Sequence, residues 1–252
     1  MTSSTQAKSD WIQRFHPAPD AENRLVCFPH AGGAASYFHP VSAMLSPGID
    51  VLAVQYPGRQ DRRTEPPVAS VEELARHATA ALRPWADRPL TLLGHSMGAM
   101  VAFEVARLLT ADGAAPLSVI VSGRRAPTSV RQENVHQRDD EGFVAEMERL
   151  GGSDPRVFED PELRALFLPV IRADYRAVET YRYRPGPSLT CPILALLGES
   201  DPMATVAETR AWAERTTASF ELRTYAGGHF YLNSHAAAVT EAVRDHIVSL
   251  SS

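Results

Sequence analysis

The sequence predicts an α/β fold, a mostly parallel central sheet flanked by helices, and three observations carry that expectation. Short apolar runs bounded by Gly or Pro recur along the chain. Segments with helical spacing lie between them, and the two kinds of segment take turns from residue 25 onward, as in a sheet covered on both faces. Finally, 252 residues with 44% hydrophobic and 22% charged side chains give an ordinary globular composition and enough chain to bury a large core. A single domain over residues 1–252 is expected.

Residues 1–23 are polar with little periodicity and predict a mobile or loosely docked lead-in. The expected strands are Leu25–Phe28, Val51–Tyr56, Leu90–Leu93, Leu117–Val121, Pro192–Leu197 and Phe220–Tyr225. Val71–Leu82 reads as a helix entered through Ser70, which with Glu73 has the form of a capping box. Met97–Leu109, Val206–Thr216 and Ala236–Leu250 show the same helical spacing. One interval breaks the alternation. Between Arg124 and Thr190 there is no strand pattern, only helical patterns around Gly142–Leu150 and Pro161–Tyr183. An insertion of that length in a compact domain is more often functional than filler, which predicts a helical lid at about residues 124–190.

Several function classes are excluded at this level. No stretch approaches the roughly 20 apolar residues of a membrane helix, and the first twenty residues lack a secretory h-region. A cytoplasmic protein that does not engage a membrane is expected. A net charge of −5 argues against nucleic acid as a partner. Cys27 and Cys191 adjoin or lie in apolar runs without metal-ligand spacing and read as inert buried residues.

The strongest local signal is Gly94-His95-Ser96-Met97-Gly98, between an apolar run and an amphipathic helix. A strand-to-helix turn this sharp needs glycine on either side of its serine, and it lifts the hydroxyl above the sheet at the positive end of the helix. That context identifies the α/β-hydrolase fold and makes Ser96 the candidate nucleophile. Serine needs a base and an orienting acid, and in this fold they follow it in the order acid, then histidine. His229 in Gly227-Gly228-His229-Phe230 is the candidate base, with His235 as the alternative and His95 as a neighbour of the turn. Gly198-Glu199-Ser200-Asp201-Pro202 holds two carboxylates, whereas Ser122-Gly123-Arg124-Arg125 holds none. Asp201 is the candidate acid and Glu199 the alternative. The oxyanion donors expected are the backbone N–H groups of Met97 and of Ala31 in Pro29-His30-Ala31-Gly32-Gly33-Ala34.

Three passages taken together resemble the type II thioesterases of polyketide and nonribosomal peptide pathways. They are Phe28-Pro29-His30-Ala31-Gly32-Gly33; Gln55-Tyr56-Pro57-Gly58-Arg59 with Arg62 and Glu65-Pro66; and the Ser96 turn paired with Asp201 and His229. The resemblance covers the chain from about Leu25 onward. It implies hydrolysis of acyl groups held as thioesters on the phosphopantetheine arm of acyl or peptidyl carrier proteins, clearing stalled or aberrant units. It gives no metal or organic cofactor a part, and a monomer is expected. Two arginine groups could form a docking patch for an acidic carrier: Arg124, Arg125 and Arg131, or Arg59, Arg62 and Arg63.

Other readings stay open at this point. The same residues would serve a carboxylesterase acting on small free esters. A non-catalytic binding protein on a hydrolase scaffold is a further alternative, although every part of the expected site is present. An integrated, chain-releasing thioesterase fits less well than a free-standing editing enzyme.

Overall fold

The computed structural model describes residues 10–152 and 156–251. Among these, the strands are β1 (Ile12–Gln13), β2 (Asn23–Phe28), β3 (Ile49–Val54), β4 (Leu90–His95), β5 (Ser118–Ser122), β6 (Ile193–Gly198) and β7 (Phe220–Tyr225). The helices are α1 (His39–Leu45), α2 (Val71–Leu82), α3 (Met97–Ala111), α4 (Asp140–Leu150), α5 (Arg156–Glu159), α6 (Pro161–Thr180), α7 (Val206–Arg210), α8 (Tyr231–Ser234) and α9 (Ala236–Ser251).

All strands join one sheet in the order β1-β3-β2-β4-β5-β6-β7. From β3 to β7 every pairing is parallel, and β1 adds an antiparallel edge. This is the mostly parallel α/β sheet that the alternation predicts. Residues of successive register bury on opposite faces, as the period of two demands. Val26, Phe28, Leu52, Leu92 and Val119 pack with α2 and α3. Leu25, Cys27, Val51, Leu93 and Ile120 pack on the other face with residues of α1 and α9. Each such Val, Leu, Ile or Phe side chain removed completely from water contributes about 1.5–3 kcal/mol. Cys27 and Cys191 are free and buried, and burial pushes both thiols up, Cys191 to about 11.

The interval 124–190 is helical, and it carries its own apolar cluster. Phe143, Val144 and Met147 of α4 meet Leu168, Ile171 and Tyr175 of α6. Asp139 caps α4 by accepting the Gly142 N–H, and Asp160 caps α6 by accepting from Glu162 and Leu163.

The lead-in, expected to be mobile or loosely docked, proves firmly docked over its described part. Residues 1–9 lie outside the described residues, but residues 10–23 are docked. Ile12 and Gln13 pair with Val54 and Ala53, and Arg14 forms a fork on the buried Asp50 carboxylate at 2.8–3.1 Å. Their polarity hid them because an edge strand of two residues has no readable period. The predicted helix Val206–Thr216 also divides, into α7 and a 3₁₀ turn over Ala211–Arg215. There Thr205 and Glu208 form a reciprocal capping box. At α2 Ser70 does accept the Glu73 N–H, but its hydroxyl donates to Glu72.

Neither arginine group is an open basic patch. Arg124 and Arg125 are each only 4% exposed, and Arg125 is paired with Glu133. Arg131 grips Glu208, whose carboxyl that contact holds at about 2. Arg59 and Arg62 are buried too, held by Asp174 and Glu65, which leaves Arg63 as the one exposed member of its group. Such side chains build loops.

Candidate active site

The strand order reverses between β2 and β4: the chain goes from β2 outward to β3, then returns to place β4 on the other flank of β2. Loops at the carboxyl ends of two such strands diverge and leave a crevice, the usual ligand site of open α/β sheets. Here the two loops are Pro29–Ala34 after β2 and the Ser96 turn after β4. Phe28 stands beside Gly94 in register.

The turn is possible only because its glycines lack side chains. A Cβ on Gly94 would lie 2.1 Å from the Gly98 carbonyl oxygen, and one on Gly98 would lie 2.0 Å from that of Phe28. Ser96 itself sits at φ 55°, ψ −117°, a conformation that costs a non-glycine residue about 1–3 kcal/mol. Its N–H donates to the Ser122 carbonyl at 2.8 Å, tying the strained residue to β5. Its hydroxyl is free of the helix N-terminus, where no side-chain cap forms.

Instead, Ser96 Oγ lies 2.9 Å from His229 Nε2. On the other side of that ring, His229 Nδ1 lies 2.9 and 3.0 Å from the two carboxylate oxygens of Asp201. Asp201 follows β6 and His229 follows β7, so parallel neighbours deliver both to the same edge of the sheet as Ser96. The Asp201 carboxylate is fixed in turn by the Met203 N–H at 2.8 Å. Glu199 is exposed and accepts from the Thr224 hydroxyl, outside this chain of hydrogen bonds. His235 contacts the Ala226 carbonyl and the Tyr225 ring, away from Ser96.

The loop that carries His229 depends on glycine in a way that its paired Gly227-Gly228 only partly reveals. Gly227 has φ +116°, but Gly228 has room around it. The tighter constraint is Gly198, whose absent Cβ leaves space for the Gly228 carbonyl oxygen, which a side chain would meet at 2.2 Å. Gly123, at φ +59°, does the same for the rings of His95 and His229.

Two further histidines stand beside His229. His95 contacts Ser122 Oγ through Nδ1 at 3.0 Å, and its ring centre is 4.9 Å from that of His229. His30 packs edge-on against Tyr37, His95 and Phe230. Burial holds both rings neutral, aided by repulsion from His229; it takes His30 down to about 3 and His95 well below the usual range. Two neutral imidazoles therefore crowd His229 without competing charge.

In the loop after β2, Gly32 donates its N–H to Asp174 at 2.7 Å and Gly33 donates to the His30 carbonyl at 2.9 Å. Neither bond uses the Ala31 N–H. Ala31 lines the cleft with Ser96 and His229, and Met147, Leu150, Tyr175 and Phe230 close it above. The 124–190 insertion thus covers Ser96 through α4 and α6. Sequence reasoning missed these covering residues and missed Asp174. The signal was present: Leu168, Ile171, Tyr175 and Val178 form the buried stripe of α6, and Asp174 interrupts it with a carboxylate.

Among the described residues no group of three His, Cys, Asp or Glu side chains could hold a metal ion. Nor is any described helix long and apolar enough to cross a membrane.

Comparison with known proteins agrees with this architecture. The family model for the thioesterase domain matches residues 23–247. Thioesterase PikA5 of Streptomyces venezuelae is 52% identical over 240 residues, covering 94% of this chain and 85% of that protein. The structure of BorB, a type II thioesterase from the borrelidin biosynthetic cluster, superimposes with a TM-score of 0.89 at 51% identity, covering 96% of this chain and all of that one. YbtT, the type II thioesterase of the yersiniabactin pathway, gives 0.88 at 35% identity with the same coverage. The chain belongs to the thioesterase family, among its type II members.

Proposed function

We propose that this thioesterase removes acyl groups from the phosphopantetheine arms of carrier proteins in polyketide or nonribosomal peptide synthesis, with Ser96 as nucleophile, His229 as base and Asp201 as its orienting acid. The observation that carries the reading is the unbroken path Ser96–His229–Asp201, each step within hydrogen-bond reach. It lies under a helical cover, in a chain 51% identical to a type II thioesterase of a biosynthetic cluster and 35% identical to one of an NRPS/PKS pathway.

The chemistry follows from the geometry. Ser96 Oγ attacks the thioester carbonyl as His229 Nε2 takes its proton. Charge on the former carbonyl oxygen is met by the N–H groups of Ala31 and Met97, the latter at the positive end of α3. The adduct then collapses with cleavage of the C–S bond, and the departing sulfur takes the proton back from His229; with a pKa of about 8.5 a thiol leaves more readily than an amine would. Water, activated by the same His229 nitrogen, cleaves the acyl-enzyme and frees the acid. Asp201 holds the ring in one tautomer and stabilises the imidazolium. The α4–α6 cover acts as a lid that limits the water around the tetrahedral intermediate.

The test compares a short acyl group on a phosphopantetheinylated carrier protein with the same acyl on coenzyme A and on a small alcohol. Higher kcat/KM for the carrier-bound thioester, absent in Ser96→Ala, is the expected result. Preference for the free ester with indifference to the carrier would replace this reading with a carboxylesterase.

A further inference from the structure

The Asp174 carboxylate is buried in a helix of the cover, yet its contacts lie in the body of the domain. One oxygen accepts the Gly32 N–H at 2.7 Å and also the guanidinium of Arg59. Arg59 in turn donates through Nε to the Gly33 carbonyl at 2.9 Å and through Nη1 to the Pro57 carbonyl at 2.8 Å. Both ends of the Gly32–Gly33 unit are therefore gripped by one buried ion pair, its partners 115 residues apart. Ile171, one helical turn before Asp174, presses on Gly32, where a Cβ would come within 3.0 Å of its Cγ1. Gly32 holds φ +77°, a backbone conformation that glycine adopts without steric cost.

We infer that Asp174 is a positioning residue for the oxyanion loop: with Arg59 it fixes the Gly32–Gly33 peptide and so keeps the adjoining Ala31 N–H aimed at the oxyanion. The inference rests on the proposed roles of Ser96 and the Ala31 amide. Its consequence is that closing the cover and completing the oxyanion hole are one event. When α6 is seated, Asp174 and Ile171 hold the loop; when α6 lifts, the Gly32 N–H and the Arg59 guanidinium lose their shared acceptor and the Ala31 donor loses its aim. Arg59 belongs to the second signature passage, and this contact gives it work inside the site rather than on a docking surface.

The experiment uses Asp174→Asn, which keeps an acceptor for Gly32 but removes the charge that holds Arg59, and Arg59→Lys, which keeps the charge but loses the donor fork. Active sites are first counted by complete reaction with a fluorophosphonate. Acylation by an activated ester is then measured per titrated site, together with the inhibition constant of a trifluoromethyl ketone, which mimics the tetrahedral adduct.

Deleting an oxyanion donor costs about 10²–10³-fold. Misaiming one is expected to lower acylation per site by about 10–100-fold in Asp174→Asn and less in Arg59→Lys. KM should move less than about threefold, and ketone affinity should fall by the same factor as acylation. Fewer titratable sites or a lower melting temperature, with rate per site and ketone affinity unchanged in whichever variant folds, would overturn the inference and leave a structural ion pair. Failure of the wild type to label at Ser96 would instead remove the reading on which the inference stands.

Discussion

Ser96 is held in a conformation that its own chemistry disfavours, and its surroundings supply what keeps it there. Its N–H is bound to Ser122, glycines flank it, and its hydroxyl meets His229 instead of capping α3. The same scale separates Asp201 from Glu199, two residues apart on one loop. Asp201 has a buried side chain that touches the imidazole, while Glu199 faces solvent. Asp201→Asn is expected to lower kcat by about 10²–10⁴-fold through loss of the correct tautomer. Glu199→Gln should stay within about twofold. Steady-state rates of the two variants, beside circular dichroism to establish folding, check this; the reverse order would reassign the acid. The arginines show how residue type alone misleads. Arg124, Arg125 and Arg131 looked like a patch because sequence gives no view of burial, and Glu133 and Glu208, 8 and 77 residues from their partners, pair with two of them.

At the scale of elements, the central strands and long helices were legible because each satisfies a period and most are followed by glycine or proline. Leu90–His95, the Ser96 turn and Met97–Ala111 follow one another as strand, elbow and helix, so the fold and the candidate nucleophile were readable together. Elements that rest on tertiary pairing were not. β1 is two residues long, and α1 starts at His39 with Pro40 in its first turn. The carboxylate of Asp174 in the apolar stripe of α6 was a readable signal, but its role was not: its partners, Gly32 and Arg59, are 142 and 115 residues distant. Glycine pairs likewise suggest a loop but not which member is indispensable. Gly198→Ala, which forces a Cβ against the Gly228 carbonyl at 2.2 Å, is expected to displace His229 and to cost roughly 1–3 kcal/mol, the usual penalty of overpacking. Gly228→Ala, with its nearest neighbour at 4.0 Å, should be tolerated. Denaturant midpoints and residual activity of the two proteins make the comparison, and equal damage would contradict the packing argument.

For the whole molecule, the two buried neutral histidines tie stability to pH. The unfolded chain protonates histidine near pH 6.5, whereas the folded state resists protonation of His30 down to about 3 and of His95 also well below its usual range. Below about pH 6.5 the unfolded state therefore binds more protons, and stability falls as the pH drops. The contribution is fully present above that value and is lost progressively, for His30 down to about pH 3. His30→Gln is expected to flatten the acid limb of stability against pH between about 6 and 4 by close to one proton. Urea unfolding at intervals of half a pH unit measures it, and an unchanged slope would show that His30 is not held neutral.

The cover, the sheet edge and the oxyanion loop converge on one hydroxyl, so the most direct test asks whether that hydroxyl reacts. Folded protein is treated with a fluorophosphonate, digested, and the modified peptide located by mass spectrometry. Stoichiometric labelling of Ser96, slowed by an acyl-carrier substrate and absent in Ser96→Ala, is the predicted result. Labelling of a different serine, or none while the protein remains folded, would contradict the assignment of this constellation as the catalytic centre.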